Sequence, residues 1–196
     1  MVSLDTDDHR LSRGDAAPDF ELPGTDGESY ALDDFADRDA LLVVFTCNHC
    51  PYAKAQFEEL NYLAGEYDDL AVVGINANDA AEYPDDSFER MQELVDDGTI
   101  DYDAYLHDES QDVSAAYGAV CTPDPFLFAR EDGAFRLAYH GRIDDALNPD
   151  DEPSDYEMRE YVETILTGDS VDAEDKPSRG CSIKWKAGNE PDYWDL

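Results

Sequence analysis

An apolar run followed at once by two closely spaced cysteines constrains this chain more than any other feature. Residues 41–45 read LLVVF, the pattern of a strand that is buried on both faces of a sheet. Cys47 and Cys50 follow with two residues between them, and apolar residues then recur at spacings of four and three from Ala53 to Tyr67. This order predicts a strand, a Cys-x-x-Cys turn and a helix in immediate succession.

Such an arrangement predicts how each of the two thiols reacts. The unpaired backbone N–H groups at the start of a helix favour negative charge, so we expect them to lower the pKa of Cys47 and make it the attacking thiolate. Cys50 would then resolve a mixed disulfide formed on Cys47. The neighbouring Thr46, Asn48 and His49 are expected to tune the site, since a protonated His49 would stabilise the thiolate further.

Other uses of the cysteine pair remain open. A Cys-x-x-Cys pair is also half of a zinc site, which a second such pair or a pair of histidines usually completes. The sequence has no second pair, and its histidines at positions 9, 49, 107 and 140 lack the spacing of paired metal ligands. Thiol redox chemistry is therefore favoured over metal binding, and a purely structural role is the third possibility.

A second feature lies downstream, where residues 118–128 read GAVCTPDPFLF. We predict a cis peptide bond between Thr122 and Pro123, in a loop that faces the cysteine pair. Such a loop can offer backbone hydrogen bonds to an extended substrate segment, which then adds to it as a strand. The alternative is that Pro123 and Pro125 only keep an edge strand short.

These residues resemble the thioredoxin-fold redoxins of the alkyl hydroperoxide reductase/thiol-specific antioxidant (AhpC/TSA) family, and within it a peroxiredoxin-like subgroup that has a CxxC motif. The segments that carry the resemblance are FTCNHCPY (45–52), GINAND (74–79), YPDDSFERM (83–91), AAYGAVCTPDPFLF (115–128), GRIDD (141–145) and GCSIKW (180–185). The resemblance implies an α/β, thioredoxin-like fold: a central mixed β-sheet with helices on both faces, an N-terminal hairpin and a C-terminal extension. We expect a mobile N-terminus at 1–13, the redoxin domain at 14–168, and a C-terminal tail at 169–196 that packs on the domain.

The resemblance implies a thiol–disulfide oxidoreductase in which Cys47 attacks, Cys50 resolves and Pro123 is the cis-proline, with no bound cofactor and no metal. A thiol peroxidase is the alternative among enzymes. The peroxide-binding frame of peroxiredoxins has a Pro seven residues and a Thr three residues before the reactive cysteine, whereas Val43 and Cys47 hold those places before Cys50. A copper- or zinc-binding redoxin module is the alternative from another class.

Two further cysteines and one arginine are candidate site residues. Cys121 lies next to the predicted cis bond, and Cys181 lies in a tail that is rich in basic residues. We hypothesise that the tail folds back and that Cys181 pairs with Cys121 or with Cys47; the alternative is one buried and one incidental thiol. Arg142 would pair with a thiolate or a substrate carboxylate, or simply bridge neighbouring acids such as Asp144.

The charge balance limits the partners that the protein can bind and the environment in which it can fold. Thirteen Lys and Arg against 49 Asp and Glu give a net charge of −36, spread along the whole chain. Concentrated salt relieves such self-repulsion, so we expect a haloarchaeal cytoplasm; an acidic surface for a basic partner is the alternative. The same field argues against nucleic acid and anionic membranes as partners. The sequence lacks a signal-peptide pattern, so we expect cytoplasmic thiol or disulfide substrates, and a thioredoxin-type reductant.

Overall fold

The computed structural model describes residues 3–5 and 11–194, so most of the predicted mobile N-terminus lies outside the described residues. The strands are β1 (Ser3–Asp5), β2 (Glu21–Pro23), β3 (Ser29–Ala31), β4 (Ala40–Phe45), β5 (Leu70–Asn76), β6 (Ala104–His107), β7 (Cys121–Thr122), β8 (Asp124–Glu131), β9 (Ala134–His140) and β10 (Arg179–Ser182). The α-helices are α1 (Pro51–Ala55), α2 (Phe57–Glu66), α3 (Phe88–Asp96), α4 (Asp112–Tyr117) and α5 (Glu157–Leu166). Short 3-10 helices span Leu32–Phe35 and Pro84–Asp86.

The central sheet has five strands in the order β6-β5-β4-β8-β9. Strands β4, β5 and β6 run parallel, whereas β8 and β9 are antiparallel to their neighbours. The predicted mixed sheet is therefore confirmed. Strand β4 lies in its middle with all six residues buried, as the continuous apolar run predicted.

Alternate side chains of β4 enter two separate parts of the core. Leu41 and Val43 pack with Tyr117 of α4 on one face, and Leu42 packs with residues of α2 and α5, such as Leu60, on the other. Burying an aliphatic side chain of this size contributes about 1.5–3 kcal/mol, so both faces hold the strand in place. Helices on both faces of the sheet are confirmed.

The expected N-terminal hairpin is formed by β2 and β3, which pair antiparallel. The single helix expected after the cysteines is instead two helices, because Gln56 ends α1 and precedes α2. The Gln56 side chain donates a hydrogen bond to Asp144, 3.0 Å away. Among the described residues, no helix is both long and apolar enough to cross a bilayer.

The tail brings the end of the chain back to the redoxin domain. Strand β10 lies between β1 and β7 in a small sheet, antiparallel to both. Beyond it, Trp185 is buried in the core and packs edge-on against Trp194, with ring centroids 5.9 Å apart. Because β7 immediately precedes Pro123, this sheet places the tail beside the predicted cis bond.

Candidate active site

The cysteine pair lies where β4 passes into α1, but the two cysteines do not share one environment. Cys50 is the N-cap residue of α1 and Pro51 is the first helical residue, where the missing N–H of proline has no cost. Cys47 lies three residues before that cap. Both are fully buried, in an apolar cluster that includes Met91 of α3 and Cys181 of the tail.

The structure contains one disulfide among the described residues, and it joins Cys50 to Cys181. The Cα atoms are 6.2 Å apart, and 131 positions separate the two residues. The hypothesis that Cys181 pairs with Cys121 or Cys47 is therefore wrong in its partner, although the tail does fold back. Cys47 keeps a free, buried thiol, and the thiol of Cys121 lies 3.4 Å from the carbonyl oxygen of Pro123.

The loop that faces these sulfurs contains the cis bond. The peptide bond between Thr122 and Pro123 is cis, which confirms the prediction. The Cys47 Sγ lies 3.1 Å from the Thr122 hydroxyl oxygen, and the Cys50 Sγ lies 3.4 Å from the Thr122 carbonyl oxygen. Thr122, which we expected to modulate the site, thus touches both cysteines of the CxxC motif.

The edge expected to receive a substrate segment is occupied by the chain's own tail. Cys181 stands opposite Thr122 in the antiparallel pairing of β10 with β7. The two strands approach so closely that a Cβ on Gly180 would overlap the carbonyl of Thr122. Glycine is therefore required at this position, and the tail makes the strand addition that the loop was expected to offer to a substrate.

A buried carboxylate, Asp86, organises the polar side of the site. It is fully buried and accepts hydrogen bonds from the Asn48 backbone N–H (2.6 Å), His49 Nδ1 (2.5 Å), Asn78 Nδ2 (2.8 Å) and Asn76 Nδ2 (3.4 Å). Four donors satisfy a carboxylate that would otherwise be costly to bury. Because a carboxylate only accepts, Nδ1 is the ring nitrogen of His49 that donates in this contact.

Sequence reasoning missed this carboxylate. Asp86 and Glu89 have the spacing of a helix capping box, which predicts that Asp86 caps α3. The cap is instead Ser87, whose hydroxyl accepts a hydrogen bond from the Arg90 N–H at 3.3 Å. With the cap supplied by its neighbour, Asp86 turns inward to the cysteine segment; no local pattern distinguishes the two arrangements.

The pKa of Cys47 is shifted in the direction opposite to the one expected. Burial, and then the negative charge of Asp86, raise it to about 12, and they outweigh hydrogen bonds from the Thr122 hydroxyl and from the N–H groups of Cys50 and His49. The expected helix-terminal N–H groups do reach this sulfur, but desolvation exceeds their effect. Lys184 of the tail faces both Cys47 and Asp86, and burial lowers its own pKa.

Metal binding is possible only at the expense of existing hydrogen bonds. Cys47, His49 and Asp86 each place a potential ligand atom within 4.8 Å of the others. The Asp86 oxygens already accept four hydrogen bonds, and the shortest comes from His49 itself. A cation would have to break this contact, so the donor set is better suited to holding the polypeptide than to holding a metal.

Two of the expected site residues lie away from the sulfurs' contacts. Thr46 is fully buried, and its hydroxyl has no hydrogen-bond partner among the described residues. Arg142 makes a bidentate ion pair with Glu157, at 2.6 and 3.0 Å, to which Lys176 also binds. Its partner is therefore Glu157, not the neighbouring Asp144, and Arg142 lines a cavity beside Pro123.

Comparison with known proteins agrees with the fold. The sequence pattern of the AhpC/TSA family matches residues 13–138. A hypothetical protein from Sinorhizobium meliloti 1021 is 42% identical, over 91% of this chain and 97% of its own, with a TM-score of 0.84. An uncharacterized conserved protein from Geobacillus kaustophilus is 37% identical, over 95% of this chain and 97% of its own, with a TM-score of 0.86.

A more distant structure shares the fold alone. The peroxidoxin BcpB from Mycobacterium tuberculosis is 18% identical over 81% of this chain and 98% of its own, with a TM-score of 0.57. A search of curated proteins gives no significant match. The family pattern nevertheless covers more than half of the chain, from the N-terminal hairpin through most of β9. The chain belongs to the AhpC/TSA family.

Proposed function

We propose that this protein is a thiol–disulfide oxidoreductase in which Cys50 exchanges between two partners, Cys181 and Cys47. The observation that carries the proposal is the Cys50–Cys181 disulfide, buried in one cluster with the free thiol of Cys47 and in contact with the cis-proline loop. A disulfide that served only as a staple would not need a third thiol or this loop beside it. Membership of a redoxin family supports the same reaction class.

The proposed cycle begins with Cys50, which reverses the roles expected from the sequence. Cys50 is the sulfur that the disulfide to Cys181 engages, whereas the raised pKa of Cys47 keeps that thiol protonated. The Cys50 thiolate attacks a substrate disulfide RS–SR′, forms a mixed disulfide with RS and releases R′S⁻. The Cys181 thiolate then attacks the Cys50 sulfur, reforms the Cys50–Cys181 disulfide and releases RS⁻. Two electrons pass to the substrate, and an external dithiol of the thioredoxin type returns them.

Cys47 provides a second way to break the Cys50–Cys181 disulfide. Its thiolate can attack the Cys50 sulfur, which forms the Cys47–Cys50 bond and releases Cys181 as a thiolate. No electrons leave the protein in this exchange, but the tail loses its covalent attachment. The raised pKa of Cys47 makes this exchange slow at neutral pH.

The test is a redox titration in concentrated salt, with mass spectrometry of trapped thiols. We expect Cys50 and Cys181 to interconvert between dithiol and disulfide at one potential, and Cys50→Ser to abolish exchange with a small disulfide. Cys121→Ser is the matched control, because its thiol lies outside the disulfide and should not alter the potential. Exchange that persists in Cys50→Ser would refute the proposal. The acid excess supports a salt-rich cytoplasm as the setting, which is why the buffer contains molar salt.

A thiol peroxidase is the second candidate, because the same disulfide is the product that a peroxidase cycle leaves. Hydrogen peroxide would oxidise the Cys50 thiolate to a sulfenic acid and release hydroxide, and the Cys181 thiol would then condense with the sulfenic acid and release water. The absent Pro and Thr of the peroxide-binding frame argue against this reaction. Peroxide consumption with a dithiol donor decides the matter: turnover faster than disulfide exchange would make the peroxidase the better assignment.

A further inference from the structure

A cavity of about 480 Å³ lies beside the cis-proline loop. Its walls come from α1 and α2, from the segment 142–156 between β9 and α5, from Arg159 of α5 and from residues 176–179 of the tail. Pro123, from the cis bond, is part of the wall, and so is Arg179, two residues before Cys181. The cavity therefore continues the edge at which the disulfide and the loop meet.

Exposed apolar side chains converge on this cavity. Among the described residues, three large apolar side chains are exposed, Tyr62 (40%), Leu147 (48%) and Tyr156 (36%), and all three line it. Single exposed apolar residues are ordinary, but their collection around one concave surface indicates a binding site. The guanidinium of Arg159 lies between the two tyrosine rings, 3.8 and 4.0 Å from their centroids, which holds both rings in place. Tyrosine and arginine are the residues most enriched at energetic centres of protein interfaces.

The charge of the cavity differs from that of the rest of the molecule. Four of the chain's thirteen basic residues line it: Arg142, Arg159, Lys176 and Arg179. Glu157 binds two of them, and Glu59 binds a third. On a chain with a net charge of −36, these cations balance the negative charges of the cavity wall. A neutral or carboxylate-bearing segment can therefore approach here without the repulsion that it meets elsewhere.

The tail is an example of an extended polypeptide bound at this edge. Residues leading to Cys181 are extended polypeptide, paired as a strand with Thr122 and joined through sulfur to Cys50. Their upstream part, residues 176–179, forms one wall of the cavity. A polypeptide that presents its own cysteine to Cys50 would place the residues flanking that cysteine along the same cavity.

We infer that the cavity binds the polypeptide segment flanking the reactive cysteine of a protein substrate, with an apolar or aromatic side chain held by Tyr62, Leu147 and Tyr156. The inference rests on the proposed function and narrows it to protein disulfides. Small disulfides lack the flanking side chains that would fill the cavity, so they gain nothing from it. The preference for polypeptide is then a property of these three residues and not of the sulfur chemistry.

The test uses the full-length, reduced protein and two peptides. Each peptide has one cysteine, present as a mixed disulfide with thionitrobenzoate; Phe and Leu flank the cysteine in one, and Ser and Gly in the other. Bis(2-hydroxyethyl) disulfide is the small comparison substrate. We expect Tyr62→Ser and Leu147→Ser to lower kcat/KM for the Phe/Leu peptide about tenfold, which corresponds to ~1.4 kcal/mol, and to change it less than about twofold for the Ser/Gly peptide. Leu166→Ser, in α5 but outside the cavity wall, is the control and should leave the ratio between the peptides unchanged.

The outcomes separate the inference from the function on which it rests. Equal losses for both peptides, or no loss for either, would overturn the docking inference while exchange with the small disulfide upholds the oxidoreductase. No exchange with any of the three substrates would overturn the proposed function and the inference with it. Because Tyr62 and Leu147 are substantially exposed, their substitution leaves the core intact, and a folding defect does not obscure the comparison.

Discussion

Breaking the Cys50–Cys181 bond should cost the folded protein several kcal/mol, since that bond joins residues 131 positions apart. A cross-link limits the conformations of the unfolded chain, and for a loop of this length the chain-entropy relation gives about 5 kcal/mol. Loss of a native disulfide typically costs ~2–5 kcal/mol, so we expect Cys181→Ser to fall in that range. The same loss should follow when the wild-type protein is reduced.

Urea denaturation in concentrated salt measures this difference. With an m-value of about 2–3 kcal/mol/M, the midpoint of the reduced protein and of Cys181→Ser should lie roughly 1–2 M below that of the oxidised wild type. Cys121→Ser is the control: its thiol is buried to the same degree but lies outside the bond, so its midpoint should still respond to reduction. Identical midpoints for the oxidised and reduced wild-type protein would refute the reasoning, because the cross-link would then contribute nothing to stability.

Three further predictions follow from the surroundings of the bond. Above pH 9 the free energy of unfolding of the wild-type protein should fall by about 1.4 kcal/mol per pH unit relative to that of Cys47→Ser, because the unfolded Cys47 thiol ionises near pH 9 and the native one only near pH 12. Free energies of unfolding, measured in urea, that change with pH in parallel for the two proteins would contradict this. Gly180→Ala should accelerate amide hydrogen exchange in β10 several-fold, since its Cβ overlaps the Thr122 carbonyl, and unchanged exchange would show that the strands can separate without cost. Asp86→Asn should lower the free energy of unfolding by about 1.5–3 kcal/mol in urea, as expected when a buried, charged acceptor is lost; a change within ~0.5 kcal/mol would mean that its donors find other partners.

Much of the fold and part of the site could be predicted because their signals are local. The run at β4, the proline after Cys50 and the proline after Thr122 are each contained in a few adjacent residues, and each has one dominant structural consequence. Steric and hydrogen-bonding rules act over that range, so an apolar run, a first-turn proline or an X-Pro bond can be interpreted without the rest of the chain.

The partner of Cys181 and the role of Asp86 could not be predicted, for two different reasons. The disulfide depends on how the tail packs after the whole domain has formed, and several pairings of four cysteines satisfy the sequence equally well. Asp86 has the correct spacing for a helix cap, and only the presence of a better-placed Ser87 turns it inward. The direction of the shift in the Cys47 pKa was predicted wrongly for the same reason, because the buried carboxylate of Asp86 is one of the two main causes that raise this pKa.

The packing of Trp185 against Trp194 has a practical consequence for kinetic work. These are the only two tryptophans in the chain, and both belong to the tail that the disulfide attaches. Intrinsic fluorescence therefore reports on the tail and its docking, with no dye, no fusion and no engineered residue. Stopped-flow emission can follow the release and return of the tail in the native protein on the timescale of single turnovers. The molecule carries its own optical signal for the step that is hardest to observe by trapping thiols.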